Sequence, residues 1–379
     1  MRILIVGAGV AGMTLAALLE RRGVRPTLVE RAPDLSHAGY MLGLWPLGSR
    51  VLHGLGLYDR FVARSLLGRE YEVRADDGGL VKHWSMASIA DRFGPILSCT
   101  RPELVTLLRE AVPTADITFG RTVEALVPTR DDVRVTFDDG ADATFDLVVG
   151  ADGLHSRVRD LVFGGQPAYR TGWGGWVWWA DLSTCPAETF VEHWGAGRFV
   201  GAYPTRAGVG IFAGAPDTEA FSSSEPGRAD RLRTRFRGMG PFVDAWLEAM
   251  PGDDAHLYYW SLSDVRSEIW SRGRVVLLGD AAAAFLPTAG IGASMAMESA
   301  AVLADELSRT DARFVEHALA LFVKRRRARV ERIQDDSRHL ARLMFVTSAT
   351  VAHVRNLLTR FYSLERLASS ISTAFDEPI

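Results

Sequence analysis

The sequence predicts an α/β protein: a parallel sheet alternating with helices, a separate antiparallel sheet, and helices at the C-terminal end. Three observations carry this prediction. Arg2-Ile3-Leu4-Ile5-Val6 is almost wholly apolar, as a central parallel strand covered on both faces requires. Gly7-Ala8-Gly9-Val10-Ala11-Gly12 follows at once and opens a helical stretch from Met13 to Glu20. Between 168 and 270 the texture changes to short strands separated by Gly and Pro turns, the mark of an antiparallel meander in its own layer.

The first stretch is Rossmann-like in every part. Gly7 allows the tight turn, Gly9 lets a pyrophosphate approach the backbone, and Gly12 lets the helix pack on the strand, while the free N–H groups of the helix receive phosphate charge. Gly23 breaks the helix, Pro26 to Val29 reads as a second strand, and Glu30 stands at its end where a ribose could bond it. Strand, loop, helix, second strand and acid occur in the order a dinucleotide site needs. Whether that dinucleotide is FAD or NAD(P) this stretch leaves open.

Composition narrows the rest. With 379 residues the chain can hold a large core and two domains, and 47% hydrophobic with 23% charged residues is ordinary for a soluble globular protein. A formal charge of −3 argues against nucleic acid as the main partner. Cys99 and Cys185 form no disulfide framework, which suits the cytoplasm, and the histidines lack metal-ligand spacing, so no metal site is expected. The apolar start is not a signal peptide, since glycines interrupt it at once. Ala281 to Met297 carries no charge but is too short, with Pro287, Gly290 and Gly292 inside it, so no membrane span is expected.

Along the chain, His37 to Trp45 is glycine-rich and reads equally well as a ligand approach or an ordinary connection; Leu47 to Leu57 follows as a helix ended by Gly56. Thr100 and Glu103 match a capping box, with Pro102 in the first turn and Leu104, Leu107, Leu108 and Val112 as the apolar stripe. Arg101 opposes the macrodipole there, which asks for an anionic or polar ligand nearby, the alternative being an ordinary surface arginine. Period-two strands are expected at 122–126, 133–137 and 145–149, the last running into Gly150-Ala151-Asp152-Gly153. Strands at 188–193, 199–203 and 209–213, a helix at 236–250 and a strand at 255–262 follow. Trp173, Trp176, Trp178 and Trp179 are expected mainly as core, with the sheet able to wall a pocket for a planar substrate. Arg274 to Asp280 is a further buried strand ending in Gly-Asp, followed by a helix whose Ala293, Ala296, Ala300 and Ala304 form a small-residue face. The tail from Phe314 is helical; its run Lys324 to Arg329 is expected as a solvated face, and Val354, Leu357, Leu358, Phe361, Leu364 and Leu367 as the stripe by which a last helix packs on the body or on a second subunit.

Together these residues resemble the single-component, class A flavoprotein aromatic hydroxylases of the p-hydroxybenzoate hydroxylase fold. Gly7-x-Gly9-x-x-Gly12 with Glu30 is similar to their FAD motif. Gly150-Ala151-Asp152-Gly153 with Ser156, Val158 and Arg159 is similar to their Asp-Gly motif, and Gly279-Asp280-Ala281-Ala282 with Pro287, Gly290 and Gly292 to their Gly-Asp motif. The resemblance implies a bound FAD, contacted by Gly7, Gly9, Val10, Ala11 and Gly12, by Glu30 with Arg31 at the adenosine ribose, and by Val123 near adenine. It implies Arg101 and Asp280 at the ribityl and phosphate region, and Asp152 with Gly153 on the FAD side and on the NAD(P)H approach. Leu42 and Gly43 would lie beside the isoalloxazine, and Pro287, Gly290, Gly292 and Ala293 at its pyrimidine edge. The implied activity is that of an FAD-dependent monooxygenase: NAD(P)H reduces FAD, O2 gives a C4a-hydroperoxyflavin, and one oxygen passes to an aromatic or polyketide-like small molecule. No catalytic side chain is obligatory; His193 and Tyr203 are candidates for a substrate-activating base.

The chain is expected to divide into an FAD-binding part at 1–167 with 271–312, a β-sheet substrate part at 168–270 and a helical segment at 313–379, with monomer or homodimer left open. Ala283 and Ile291 depart from the family's usual His and polar residue. The rivals are a flavin-dependent halogenase, suggested by Trp176-Val177-Trp178 with Lys82 as the one plausible early lysine, a flavin reductase or dehydrogenase, and a non-catalytic binding protein.

Overall fold

A computed structural model describes residues 1–35, 39–218, 227–252 and 257–361. His37 and Ala38, the expected strand start at Ala255, and Leu364 and Leu367 lie outside the described residues. The central sheet has six strands in the order β18-β19-β12-β1-β2-β8. At its middle β1 (Ile3–Val6) lies between β12 (Leu147–Gly150) and β2 (Thr27–Glu30), flanked by β19 (Val275–Leu277) and β8 (Asp116–Phe119), all parallel. The two-residue β18 (Ser271–Arg272) closes one edge antiparallel. All residues of β1, β12 and β19 are buried, which is why these strands run apolar instead of alternating. Because the strands are parallel, Gly7, Glu30, Ala151-Asp152 and Gly279-Asp280 emerge together at their carboxyl ends.

Helix α1 (Val10–Glu20) packs against a later helix, Gly292–Ser308, whose Ala296, Ala300 and Ala304 are buried as the small-residue pattern predicted. Helix α2 (Pro46–Leu55) ends on left-handed Gly56; the short α3 (Tyr58–Val62) and α4 (Ala87–Phe93) follow. Helix α5 (Arg101–Glu110) has the expected capping box, and α6 (Arg157–Phe163) is capped by Ser156.

A small antiparallel sheet holds β9 (Val123–Pro128), β10 (Val133–Phe137) and β11 (Asp142–Phe145). The single strand expected at 145–149 is in fact two, because the chain changes sheets at Asp146. Phe145 pairs with Val133, whereas Leu147 pairs with Ile3. The Asp146 carboxylate accepts the Arg2 N–H at 2.6 Å, and its own N–H donates to the Arg2 carbonyl, so the crossing point is pinned to the start of β1.

The third sheet has seven strands, β17-β13-β16-β15-β14-β5-β6. Five come from the expected meander: β13 (Tyr169–Ala180), β14 (Thr189–Trp194), β15 (Phe199–Thr205), β16 (Gly208–Pro216) and β17 (Tyr258–Asp264). The other two, β5 (Glu70–Arg74) and β6 (Leu80–Ser85), arrive from residues outside 168–270, with β5 parallel to β14. One face of the sheet is covered by α7 (Arg228–Phe236) and α8 (Pro241–Glu248). The single helix expected at 236–250 is split here, since Gly238 (φ 77°) and Gly240 (φ 107°) take left-handed backbone that a continuing helix cannot hold. The other face turns toward a three-stranded sheet, β3 (Met41–Leu44), β7 (Ile96–Thr100) and β4 (Leu66–Gly68), and through it toward the parallel sheet.

The C-terminal helices correct one expectation and narrow another. After α9 (Gly292–Ser308), the 30-residue α10 (Val315–Met344) keeps Lys324, Arg325 and Ala328 exposed as expected but does not present the whole run from Lys324 to Arg329 as a solvated face. Arg326 and Arg329 are buried, and both bond the fully buried Glu298 of α9, at 2.5 and 2.8 Å. The helical period sends these two arginines inward three residues apart. In α11 (Ala349–Thr359) the buried residues are Ala352, Arg355 and Thr359, while Val351, Val354, Leu357 and Leu358 are exposed. Arg355 wins the inward position because its guanidinium satisfies the carbonyls of Met344 and Trp194. Among the described residues no helix is long and apolar enough to cross a membrane.

Candidate active site

The turn after β1 is built by close contact. Gly7 has φ 105°, and a Cβ there would lie 2.4 Å from the Ala151 carbonyl oxygen; a Cβ on Gly12 would lie 2.0 Å from the Gly7 oxygen. Gly9 differs: a Cβ there would meet only the Arg101 guanidinium, at 3.5 Å. Space is therefore kept between Gly9 and a cation, as a pyrophosphate requires. The N-cap of α1 is Gly9, with no side-chain cap, so its first N–H groups have no side-chain acceptor. Glu30 accepts the N–H groups of Ala8 and Ala32, both at 2.8 Å, and so holds the loop against the end of β2.

The two later acids differ. Asp152 accepts the Ser156 hydroxyl at 2.5 Å and the Val158 N–H at 3.1 Å. Burial raises its pKa, and those donors pull it back. Arg159, buried, donates to the carbonyls of Leu154 and Ala281, tying the Asp-Gly turn to the Gly-Asp turn. Asp280 instead lies in a groove, packed round by protein yet open to solvent on one side. Its carboxyl is pushed up to about 6 by burial, against the pull of Arg101. Tyr40, which sequence reasoning passed over, accepts the Arg101 backbone N–H on its carbonyl at 2.9 Å, and its phenol stands within electrostatic reach of Arg101, Asp280 and Tyr258. The set of cation, open glycine loop, strand-end acids and uncapped α9 N-terminus suits a long anionic dinucleotide such as FAD.

Other expected site residues fall around this groove unevenly. Leu42 and Gly43 are half-buried on β3, opposite Cys99 and Ser98 of β7. Gly290 is left-handed, Gly292 and Ala293 begin α9, and Pro287 is exposed. Val123 is buried at the start of β9, and Arg31 is exposed. Ile291 is fully buried, so its apolar side chain belongs to the core and not to the groove edge; Ala283 is also buried, bridged to Arg266.

From Tyr258, within electrostatic reach of Tyr40, a row of rings runs across the other face of the seven-stranded sheet: Tyr258 to Trp260 at 5.3 Å, Trp260 to Phe212 at 5.5 Å, Phe212 to Phe199 at 5.6 Å, open at Tyr258 and buried at Phe212 and Phe199. On the same face sits Glu192, a buried carboxylate that no motif announced. It accepts the Tyr203 and Tyr71 hydroxyls, both at 2.6 Å, and the Trp194 indole N–H at 2.8 Å. Burial raises its pKa against these three donors. Gly210, paired with Tyr203, lies so close to β3 that a Cβ would meet Met41 Cγ at 2.7 Å, which sets Tyr203 beside the strand carrying Leu42 and Gly43.

His193, the other candidate base, points to the opposite face. It is fully buried edge-on to Trp246, and neither ring nitrogen makes a hydrogen bond of normal geometry. Trp176 and Trp178 share that helix-covered face, and the Lys82 ammonium donates to the Arg360 carbonyl, so these residues assemble no site together.

This geometry, with the family's FAD-binding domain model matching residues 1–337, places the chain in the family of class A flavoprotein monooxygenases, to which it belongs. It is an FAD-dependent monooxygenase that uses NAD(P)H and O2. It is 34% identical to a 3-amino-4-hydroxybenzoate 2-monooxygenase of Streptomyces cremeus, over 80% of this chain and 77% of that protein. It is 28% identical to a 6-hydroxynicotinate 3-monooxygenase of Bordetella bronchiseptica, over 88% and 89%. The crystal structure of Pseudomonas aeruginosa PqsL with 2-aminobenzoylacetate has a TM-score of 0.80 at 26% identity, covering 94% of this chain and 99% of that one. Halogenase, reductase and non-catalytic readings find no support among these relatives.

Proposed function

We propose that the enzyme hydroxylates a small aromatic or polycyclic molecule seated between β3 and the open face of the seven-stranded sheet. The observation that carries this reading is the row of rings that opens at exposed Tyr258 and half-buried Trp260; Tyr40 stands within electrostatic reach of Tyr258, Arg101 and Asp280 alike. Such a wall stacks planar substrates and excludes water. FAD, when bound and reduced by NAD(P)H, supplies the activation of O2. The chain's own residues bind and orient. Gly7, Gly9, Val10, Ala11 and Gly12 offer backbone to the pyrophosphate, Glu30 and Arg31 face the ribose, and Val123 the adenine. Arg101 and Asp280 hold the ribityl side, with Asp152 and Gly153 supporting the turn. Leu42, Gly43, Pro287, Gly290, Gly292 and Ala293 frame the ring, where the α9 N-terminus favours negative charge. Two buried, unpaired cysteines suit the cytoplasm. The similarity to the aminohydroxybenzoate enzyme supports a mono-aromatic substrate of that kind.

The test is product analysis with NAD(P)H, O2 and a panel containing 3-amino-4-hydroxybenzoate, 6-hydroxynicotinate and polycyclic phenols. One oxygen atom from O2 should appear in product; NAD(P)H consumption yielding only hydrogen peroxide across the panel would overturn the substrate class. Asp280→Ala should weaken FAD retention at least about ten-fold, the scale of a lost charge-assisted bond. Full flavin occupancy in that variant would remove Asp280 from the site.

A further inference from the structure

Glu192 has two oxygens and three donors, and their arrangement is not symmetrical. One oxygen takes both Tyr71 and Trp194, the other takes Tyr203 alone. An indole N–H can only donate, so the Trp194 contact fixes one carboxylate oxygen as an acceptor. With its single proton committed to Glu192, the Tyr203 hydroxyl keeps only lone pairs for any further partner. The backbone opposite makes room for this. Gly201 pairs with Glu192, and a Cβ there would lie 2.5 Å from the Tyr203 hydroxyl oxygen, so the ring folds back over Gly201 to reach the carboxylate. Tyr203 is itself only half-buried and stands beside Met41 of β3.

We infer that Tyr203, polarised by the buried Glu192, is the specificity contact of the substrate site: an acceptor that selects aromatic molecules carrying a hydroxyl or amino donor at the end facing the sheet. The inference rests on the proposed substrate reading and adds a polarity to it. A carboxylate or a bare acceptor directed at this point meets the Tyr203 lone pairs and, behind them, the Glu192 charge. Glu192 acts through Tyr203 and is a positioning residue.

The arrangement makes Glu192→Gln informative. Trp194 holds the amide oxygen on its own side, so the amide NH2 faces Tyr203 and donates to it. The Tyr203 proton must then turn toward the substrate, converting an acceptor into a donor. Binding is read from the flavin absorbance of the FAD-loaded enzyme, titrated with matched probes: 4-hydroxybenzoate against 4-fluorobenzoate, and 2-naphthol against 2-fluoronaphthalene. The wild type should prefer the hydroxyl member of each pair by about ten-fold, the scale of one hydrogen bond. Tyr203→Phe should abolish the preference, and Glu192→Gln should abolish or reverse it. A Glu192→Gln enzyme that keeps the wild-type preference, or a wild type that binds both members equally, would overturn the inference while the flavin spectrum stays intact. A wild type that takes up no FAD would instead overturn the flavoenzyme reading together with it.

Discussion

Glu192 and His193 are neighbours on one strand, yet they live in different molecules as far as chemistry is concerned. Alternation along β14 sends Glu192 to the face that looks across to β3, and His193 to the face sealed by α7 and α8. The first face keeps polar groups paired and partly open; the second is packed with Trp176, Trp178, Phe236 and Trp246, all nearly or fully buried. The difference teaches that a titratable side chain in this sheet is read by its face before its type. A histidine among indoles serves packing, while a carboxylate ringed by hydroxyls is held ready for the role proposed above.

The sharpest way to break the comparison is at Trp246. Its ring is fully buried, its indole donates to the Thr184 carbonyl at 3.1 Å, and its own carbonyl accepts from Trp178 at 2.8 Å. Trp246→Ala should cost about 3–5 kcal/mol, measured by denaturant unfolding, with the flavin and probe affinities of the folded fraction unchanged. A loss of substrate affinity at intact stability would show that the sealed face takes part in binding.

Next comes acid. Burial, then the nearby Arg74, depress His193 from its ordinary 6.5 to about 4, with Asp76 and backbone groups of Ala75 and Met239 opposing. The unfolded chain therefore binds this proton first. The contribution is fully present above pH 6.5 and is lost as pH falls toward about 4, about 3 kcal/mol in all. Melting temperatures measured across that window should fall, and His193→Phe should flatten the slope; an unchanged slope in the variant would assign the acid limb elsewhere.

The smallest stability effect belongs to the open face. Tyr258 is 47% exposed, so Tyr258→Ala should change stability by no more than about 0.5 kcal/mol. It should still weaken binding of planar probes by roughly two- to ten-fold, because ring stacking contributes about 0.5–1.5 kcal/mol. Equal binding by variant and wild type would take Tyr258 out of the substrate wall.

How much of this was legible in the chain differs by region for a physical reason. Around Gly7, Thr100 and Gly279 the determinants are local: a turn that only glycine permits, a side chain that caps its own helix, a strand buried on both sides. Such features leave a contiguous signature, and α1, α5 and α9 were all readable. The Glu192 cluster draws its partners from residues 71, 194 and 203, and the first of these reaches it only because β5 joins the sheet from far upstream. Arg326 and Arg329 looked like surface charge because their partner, Glu298, is on another helix. The same holds in α11, where carbonyls of Met344 and Trp194 draw Arg355 inward and leave the leucines outside.

By itself, then, the sequence determined the nucleotide-binding edge, since parallel strands ending in Gly7, Glu30, Asp152 and Asp280 can present those groups only together. It also determined that Glu192 and His193 must face opposite ways, because side chains alternate along any strand. Which of the two would look toward β3 was decided only when helices α7 and α8 covered one face of the sheet. Alternation sets a relative direction, whereas burial of a face is a long-range event that no local pattern encodes.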